Sequence, residues 1–322
     1  MRLRKRIVTL AAIAVITGGV AACSAASAGD HPAKLATSAR PSKPAAKPTP
    51  SPSPSVTPTI QVSGAPGGVK AKGAVIADAS TGQVLWSRDP GTERPMASVT
   101  KVMTALLVLQ GGDLGQEIRI QKAAETYAWK YGGETAALHP GDTITAQQLL
   151  AALLLPSGAD AAYTLATTSG PGMNAFVAKM NATAVKLGML HTHFTSPDGL
   201  PYPTETSTYS TPSDLLTLGL AAMKYPVFRS LVDLRFYHLP KGNGHHQYWW
   251  DNTDGLIDSY PGALGIKTGY TDDAEHCLLF EAARNGRTLI GVVLASPATG
   301  VNAGADDAEK MLNWGFRLQN RT

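Results

Sequence analysis

The chain has 322 residues, 43% of them hydrophobic and 16% charged, with a formal net charge of +4 at pH 7 and two cysteines. Eight of the 28 basic residues but one of the 24 acidic residues precede residue 67, leaving 20 basic against 23 acidic residues beyond it. That part is slightly acidic, which excludes the basic face that nucleic-acid binding requires, and two cysteines exclude a disulfide-dense scaffold.

Arg2, Arg4, Lys5 and Arg6 lead into an uncharged, mostly apolar stretch from Ile7 to Val20. It is short for a membrane span and right for a secretory signal, so residues 1–22 are expected to be a signal peptide. Val20-Ala21-Ala22-Cys23 resembles a bacterial lipobox, in which the cysteine is diacylated and becomes the first mature residue. The protein is then expected on the outer face of the cytoplasmic membrane as a lipoprotein. Ala26-Ser27-Ala28 would instead serve ordinary signal peptidase and leave it secreted. Residues 23–66 are rich in Pro, Ala, Ser, Thr and Lys, with Pro48, Pro50, Pro52, Pro54 and Pro58 closely spaced. Such a segment builds no core and, largely extended, is a tether reaching up to roughly 100 Å.

Residues 67–322 are long enough to bury a core. Gly73–Asp78 and Val84–Arg88 read as strands joined by a tight hairpin through Ser80-Thr81-Gly82-Gln83. A helix is expected to start at Ser98, because Val102–Leu109 is uncharged and apolar. A polar, strand-poor region follows. Gly141-Asp142-Thr143-Ile144 then turns into a strand, and Ala146–Leu155 forms an apolar helix stopped by Pro156. Helices are expected near Met173–Leu187 and Pro212–Met223, strands at Leu264–Ile266, Cys277–Ala282 and Thr288–Ala295, and a closing helix from about Asp306 to Phe316. Strands at both ends with helices between them predict an α+β domain, a sheet completed by the terminal segments around a helical insert.

Three short segments carry chemistry. Ser98 and Lys101 lie three apart at a helix start, so the amine can reach the hydroxyl. A second positive charge is disfavoured there by the helix N-terminus, and a desolvated lysine that loses its proton can activate serine as a nucleophile. A capping serine beside a surface lysine is the simpler alternative. Ser157-Gly158-Ala159-Asp160 forms a small polar turn between two apolar helices, and Lys267-Thr268-Gly269 sits on a strand. Taken singly, these are a helix cap and a strand end.

Together and in this order, the three segments resemble the active-site set of penicillin-recognising serine enzymes. Arg94-Pro95-Met96-Ala97-Ser98, His139-Pro140-Gly141-Asp142, Phe194-Thr195-Ser196-Pro197-Asp198-Gly199-Leu200, Tyr209-Ser210-Thr211, Asn252-Thr253-Asp254 and Asn313-Trp314-Gly315-Phe316 narrow the resemblance to low-molecular-mass D-alanyl-D-alanine carboxypeptidases over about residues 73–318. The resemblance implies a β-lactamase/transpeptidase-like fold, an antiparallel sheet flanked by helices with a helical subdomain. It implies pentapeptide stems of peptidoglycan as substrate, β-lactams as covalent inhibitors, and no cofactor. By it, Ser98 attacks the carbonyl between two D-alanines, Lys101 takes its proton, and Ser157 passes a proton to the leaving amine with help from Lys267. The N–H groups of Ser98 and Tyr270 form the oxyanion hole, and Thr268, with Gly269 beside it, meets the terminal carboxylate.

The chain departs from that pattern twice. Ala159 stands where the family's asparagine contacts the substrate, so Ala159→Asn is expected to speed acylation. No basic residue lies in Ser296–Ala305 to hold the terminal carboxylate. A binding module with poor turnover is therefore kept as an alternative. A class A β-lactamase is another, although the Glu-x-x-Leu-Asn segment it needs does not occur between Ser157 and Lys267. His191, His193, His245 and His246 lack companions at metal-ligand spacing and read as ordinary histidines, with no metal expected. Tyr248-Trp249-Trp250 and Tyr260 read as core packing beside a strand, with stacking on glycan as the other reading.

Overall fold

The computed structural model describes residues 64–297 and 302–318. The expected signal peptide, Cys23 and nearly all of the tether lie outside the described residues. Strands β1 (Gly73–Asp78) and β2 (Val84–Arg88) form the expected hairpin. After β3 (Arg94–Pro95), a single 3₁₀ turn over Ala97–Thr100 runs into α1 (Lys101–Gly111). Then come β4 (Glu117–Arg119), α2 (Lys122–Lys130), β5 (Thr143–Thr145), α3 (Ala146–Leu154), α4 (Ala159–Thr168) and α5 (Met173–Leu187). β6 (Tyr209–Ser210), α6 (Pro212–Ala222), α7 (Pro226–Val232), the hairpin β7 (Phe236–Leu239) and β8 (Tyr248–Asp251), and α8 (Leu256–Ser259) complete the insert. Three long strands, β9 (Ala263–Thr271), β10 (Glu275–Arg284) and β11 (Arg287–Ser296), and α9 (Ala303–Arg317) end the domain.

The main sheet has the order β2-β1-β11-β10-β9, antiparallel at every pairing. Its first and last strands in the chain meet at its centre, with Gly73 opposite Leu294, as the terminal strands predicted. Both faces are covered, which is why β1 and β11 read as continuous apolar runs rather than as alternation. On one face Ile76, Leu278, Phe280 and Leu289 pack with Ala308, Met311 and Leu312 of α9. On the other, Val75, Leu279, Ile290 and Val292 join the core of the helical insert.

Helix α1 runs through that core. Val102 to Leu109 are all buried, so α1 is apolar on every side, the signature of a central helix. Local signals set its neighbours: Thr145 and Gln148 close a capping box on α3, and Thr211 caps α6 with Pro212 in its first turn. The strand-poor region expected after α1 contains α2. Only Ala124 and Ala128 of that helix are buried, so two alanines carried its entire apolar period. Tyr248 and Trp250 point into the core from β8, and Tyr260 is buried in the α9 layer, as core packing predicts. Trp249, between the first two, is 53% exposed because side chains on a strand alternate.

Candidate active site

Ser98 lies in the 3₁₀ turn before α1 rather than in the helix itself. The difference matters, because three residues per turn eclipse positions i and i+3 and align Ser98 with Lys101. The Lys101 ammonium donates to Ser98 Oγ at 2.8 Å and to the Asp198 carbonyl at 3.1 Å. Lys101 is the first residue of the buried helix, and burial pulls its pKa down to about 8 against the opposing pull of Asp198, Asp160 and Glu134. Of the two causes that the sequence suggested, desolvation rather than the helix N-terminus is therefore the main one. Roughly one Lys101 in ten is then neutral at pH 7 and able to accept a proton. Ala97, just before the nucleophile, has φ of +46°, and Gly199 closes over its carbonyl so tightly that a β-carbon there would lie 1.9 Å from the oxygen. Such strain at a reactive serine is held by its surroundings.

Ser157 sits between α3 and α4 with φ of +64°, a second strained non-glycine residue. The turn is fixed from below. Asp160, buried at the start of α4, accepts hydrogen bonds from the Thr135 hydroxyl (2.6 Å) and the N–H groups of Ala136, Leu138 and Ala161 (2.9, 3.0 and 2.9 Å). It thereby ties the loop after α2 to the Ser157 turn.

Strand β9 is the sheet edge facing the nucleophile, and Gly269 makes the approach possible. A β-carbon at Gly269 would lie 2.8 Å from the Met96 carbonyl oxygen and 3.1 Å from the Ser98 nitrogen. Lys267 is buried and donates to Thr268 Oγ1 at 3.2 Å, and that hydroxyl pairs with Thr253 Oγ1 at 2.8 Å. Burial first, and then the nearby Lys101 charge, bring the Lys267 pKa down to about 7. Two lysines thus converge on the site with weakened hold on their protons. Asp254, also buried, has its carboxyl pushed up to about 6 by desolvation and stands close enough to Lys267 to influence it.

An open cleft of about 710 Å³ has Ser98, Ser157, Thr253, Asp254, Thr268, Gly269 and Tyr270 in its walls, with the two lysines buried behind them. The sequence expectation thus converges on one place, with one correction. Ala159 is fully buried and does not line the cleft. A β-carbon on Gly133 would lie 2.7 Å from the Ala159 methyl and 2.9 Å from Leu200 Cδ1, so the chain closes directly over that methyl. A larger side chain growing from Ala159 toward Gly133 and Leu200 would meet both, so the geometry argues for a loss rather than a gain from Ala159→Asn. Sequence reasoning did not single out Glu134, Gly255 or Asn302, which also line the cleft. Asn302, with Gly304 and Ala305, builds the wall from the segment that carries no basic residue. None of the three has a distinguishing local pattern, since each is an ordinary loop residue until the chain folds. Among the described residues no group of three or more His, Cys, Asp and Glu side chains could hold a metal ion. His246 instead pairs with Asp142 at 2.9 Å.

Comparison with known proteins gives a consistent picture. The sequence model of the family described as D-alanyl-D-alanine carboxypeptidase matches residues 60–298. The D-alanyl-D-alanine carboxypeptidase of Streptomyces sp. strain K15 is 40% identical over 262 residues, covering 78% of this chain and 88% of its own length. The D-alanyl-D-alanine carboxypeptidase DacB2 of Mycobacterium tuberculosis is 40% identical over 245 residues, covering 76% of this chain and 81% of its own length. The crystal structure of the Streptomyces K15 DD-transpeptidase superposes with a TM-score of 0.73 at 39% identity, covering 77% of this chain and 98% of that one. The antiparallel sheet and its flanking helices are thus those of a penicillin-binding DD-peptidase, and the chain belongs to the D-alanyl-D-alanine carboxypeptidase family of serine peptidases.

Proposed function

We infer that the chain removes the terminal D-alanine of peptidoglycan stem peptides through an acyl-enzyme on Ser98. The observation that carries this reading is the 2.8 Å contact between a fully buried, partly deprotonated Lys101 and Ser98 Oγ at the floor of an open cleft. Neutral Lys101 Nζ takes the hydroxyl proton as Oγ attacks the penultimate carbonyl. The N–H groups of Ser98 and Tyr270 hold the resulting oxyanion. The leaving D-alanine amine takes a proton from Ser157, which Lys267 replenishes, and water then cleaves the ester. The Thr268 and Thr253 hydroxyls and the Lys267 ammonium receive the terminal carboxylate, with the free edge of β9 beside them to pair with the peptide backbone. Penicillin enters by the same attack and stays bound as an ester.

The lipid anchor is part of the proposal. Cys23 at the end of an apolar leader, followed by a proline-rich tether, suits a domain working on cell-wall peptides at a distance from the membrane. Mass spectrometry after incubation with fluorescent penicillin, alongside a D-alanine release assay on a diacyl-D-Ala-D-Ala peptide, tests the chemistry. An adduct on Ser98 with D-alanine release is expected, and an adduct without release would overturn the carboxypeptidase reading. Cys23→Ser should abolish incorporation of labelled fatty acid and move the protein out of the membrane fraction. Retention in that fraction would refute the anchor.

A further inference from the structure

The loop over Ala159 carries a charge that the mechanism above does not use. Glu134 and Asp254 are the acidic residues among those lining the cleft, and they differ in setting: Asp254 is buried, whereas Glu134 is exposed. The Glu134 carboxylate makes no ion pair or hydrogen bond with any described side chain, and although Lys101 and Lys267 lie near enough to feel its charge, its oxygens are free to take a partner from whatever enters. Its backbone, by contrast, is held firmly. The Ala159 N–H donates to the Glu134 carbonyl at 2.7 Å, Gly133 rests on the Ala159 methyl and on Leu200, and Asp160 ties down Thr135, Ala136 and Leu138. A glycine pair, Gly132-Gly133, lets the chain come down this closely, and Gly132 has φ of +64°. An unpaired carboxylate on a preorganised loop, one residue from the contact that fills the expected asparagine site, is placed to read the substrate there.

Resting on the carboxypeptidase reading, we propose that Glu134 is a specificity-determining residue that selects stem peptides carrying a free side-chain ammonium on the residue before the two D-alanines. The cleft is polarised for such a ligand. Hydroxyls of Thr268 and Thr253 beside Lys267 meet the peptide's carboxylate, and Ser157 and Glu134 line the cleft as well, from the α3–α4 turn and the loop that closes over it. A peptide with an anionic C-terminus and a cationic side chain further back matches both. A stem whose ammonium is already acylated by a cross-link loses the second match, so the enzyme would act preferentially on uncross-linked stems.

The experiment compares Nα-acetyl-L-Lys-D-Ala-D-Ala with its Nα,Nε-diacetyl counterpart in D-alanine release by the wild type, Glu134→Gln and Glu134→Lys. The wild type is expected to favour the free amine about five- to tenfold in kcat/KM, mainly through KM, with the preference shrinking as salt is raised. Glu134→Gln should bring the ratio near one, and Glu134→Lys should invert it. Equal loss on both peptides in Glu134→Gln would overturn the proposal, since it would make Glu134 a structural group or a base in deacylation. A wild type without preference would overturn it too. If the wild type releases no D-alanine from either peptide, the carboxypeptidase reading fails. The preference is then read from how well each peptide competes with fluorescent penicillin for Ser98, and equal competition would overturn the proposal.

Discussion

Ala159→Asn introduces the residue that the sequence resemblance implies at this position, yet the structure predicts harm. The alanine methyl is wholly enclosed, with Gly133 and Leu200 packed against it and the Ala159 N–H committed to the Glu134 carbonyl at 2.7 Å. Asparagine adds three heavy atoms, two of them polar, to a fully buried position against which Gly133 and Leu200 already pack. Overpacking of this kind costs about 1–3 kcal/mol, and a domain of this size loses roughly 2–4 °C of melting temperature per kcal/mol. A fall of about 2–12 °C in Tm is therefore expected by calorimetry. Relief comes by lifting the Gly133–Glu134 segment, which moves the cleft wall by a fraction of a side chain. Displacement of about 1 Å near reacting groups costs up to about a hundredfold in rate, so the stopped-flow rate of Ser98 acylation by fluorescent penicillin should fall at least tenfold. Ala159→Ser, with one added atom, should lie between the two. An Ala159→Asn protein with unchanged Tm and faster acylation would refute the argument, showing that the loop yields freely and that the missing amide limits the rate.

Three other outcomes follow from the site. Because the neutral Lys101 amine (pKa about 8) is the base while the Lys267 ammonium (pKa about 7) meets the carboxylate, acylation by penicillin should stay roughly level from pH 7 to pH 8 and fall about fivefold by pH 9; a roughly tenfold stopped-flow rise over pH 7 to 9 would show that the Lys267 charge is not needed. Gly269→Ala places a β-carbon against the Met96 carbonyl and the Ser98 nitrogen, main-chain atoms that cannot swing aside, so acylation should fall roughly tenfold or more. Unchanged acylation would show that β9 is not held against the nucleophile. Asp254 has a folded-state pKa raised to about 6 by burial, above its ordinary value, so its contribution to stability is full below about pH 4 and is lost as pH rises through about 6. Asp254→Asn should accordingly melt higher than the wild type at pH 7.5 and show no such advantage at pH 4, and equal Tm differences at the two pH values would contradict this.

Much of the architecture was readable along the chain because local patterns carried it. The Gly73–Arg88 hairpin, α3 before Pro156, α5 over Met173–Leu187 and α6 after its Thr211 cap each rest on periodicity, capping or a breaker, and each matches the structure closely. The late strands came out longer than expected, with β9 reaching Thr271, because edge and end residues pair through backbone groups that side-chain patterning does not report. Helix α2 was missed because two buried alanines give almost no apolar signal. The burial of Ala159 was not legible for a different reason: spacing places it beside Ser157, and what covers its methyl is Gly133, 26 residues away in the chain.

Sequence alone determined which residues are capable of the chemistry. Ser98 and Lys101 are brought together by three-residue spacing and one local turn, and the order of Ser98, Ser157 and Lys267 identifies the family to which they belong. Tertiary structure decided what those residues are able to do. The Lys101 and Lys267 pKa values drop because α1 and β9 are buried by segments distant in the chain, and desolvation is a property of the folded surroundings rather than of a motif. The cleft's charge was decided in the same way. Glu134 is an unremarkable loop glutamate until hydrogen bonds to Ala159 and Asp160 fix its loop at the edge of the active site.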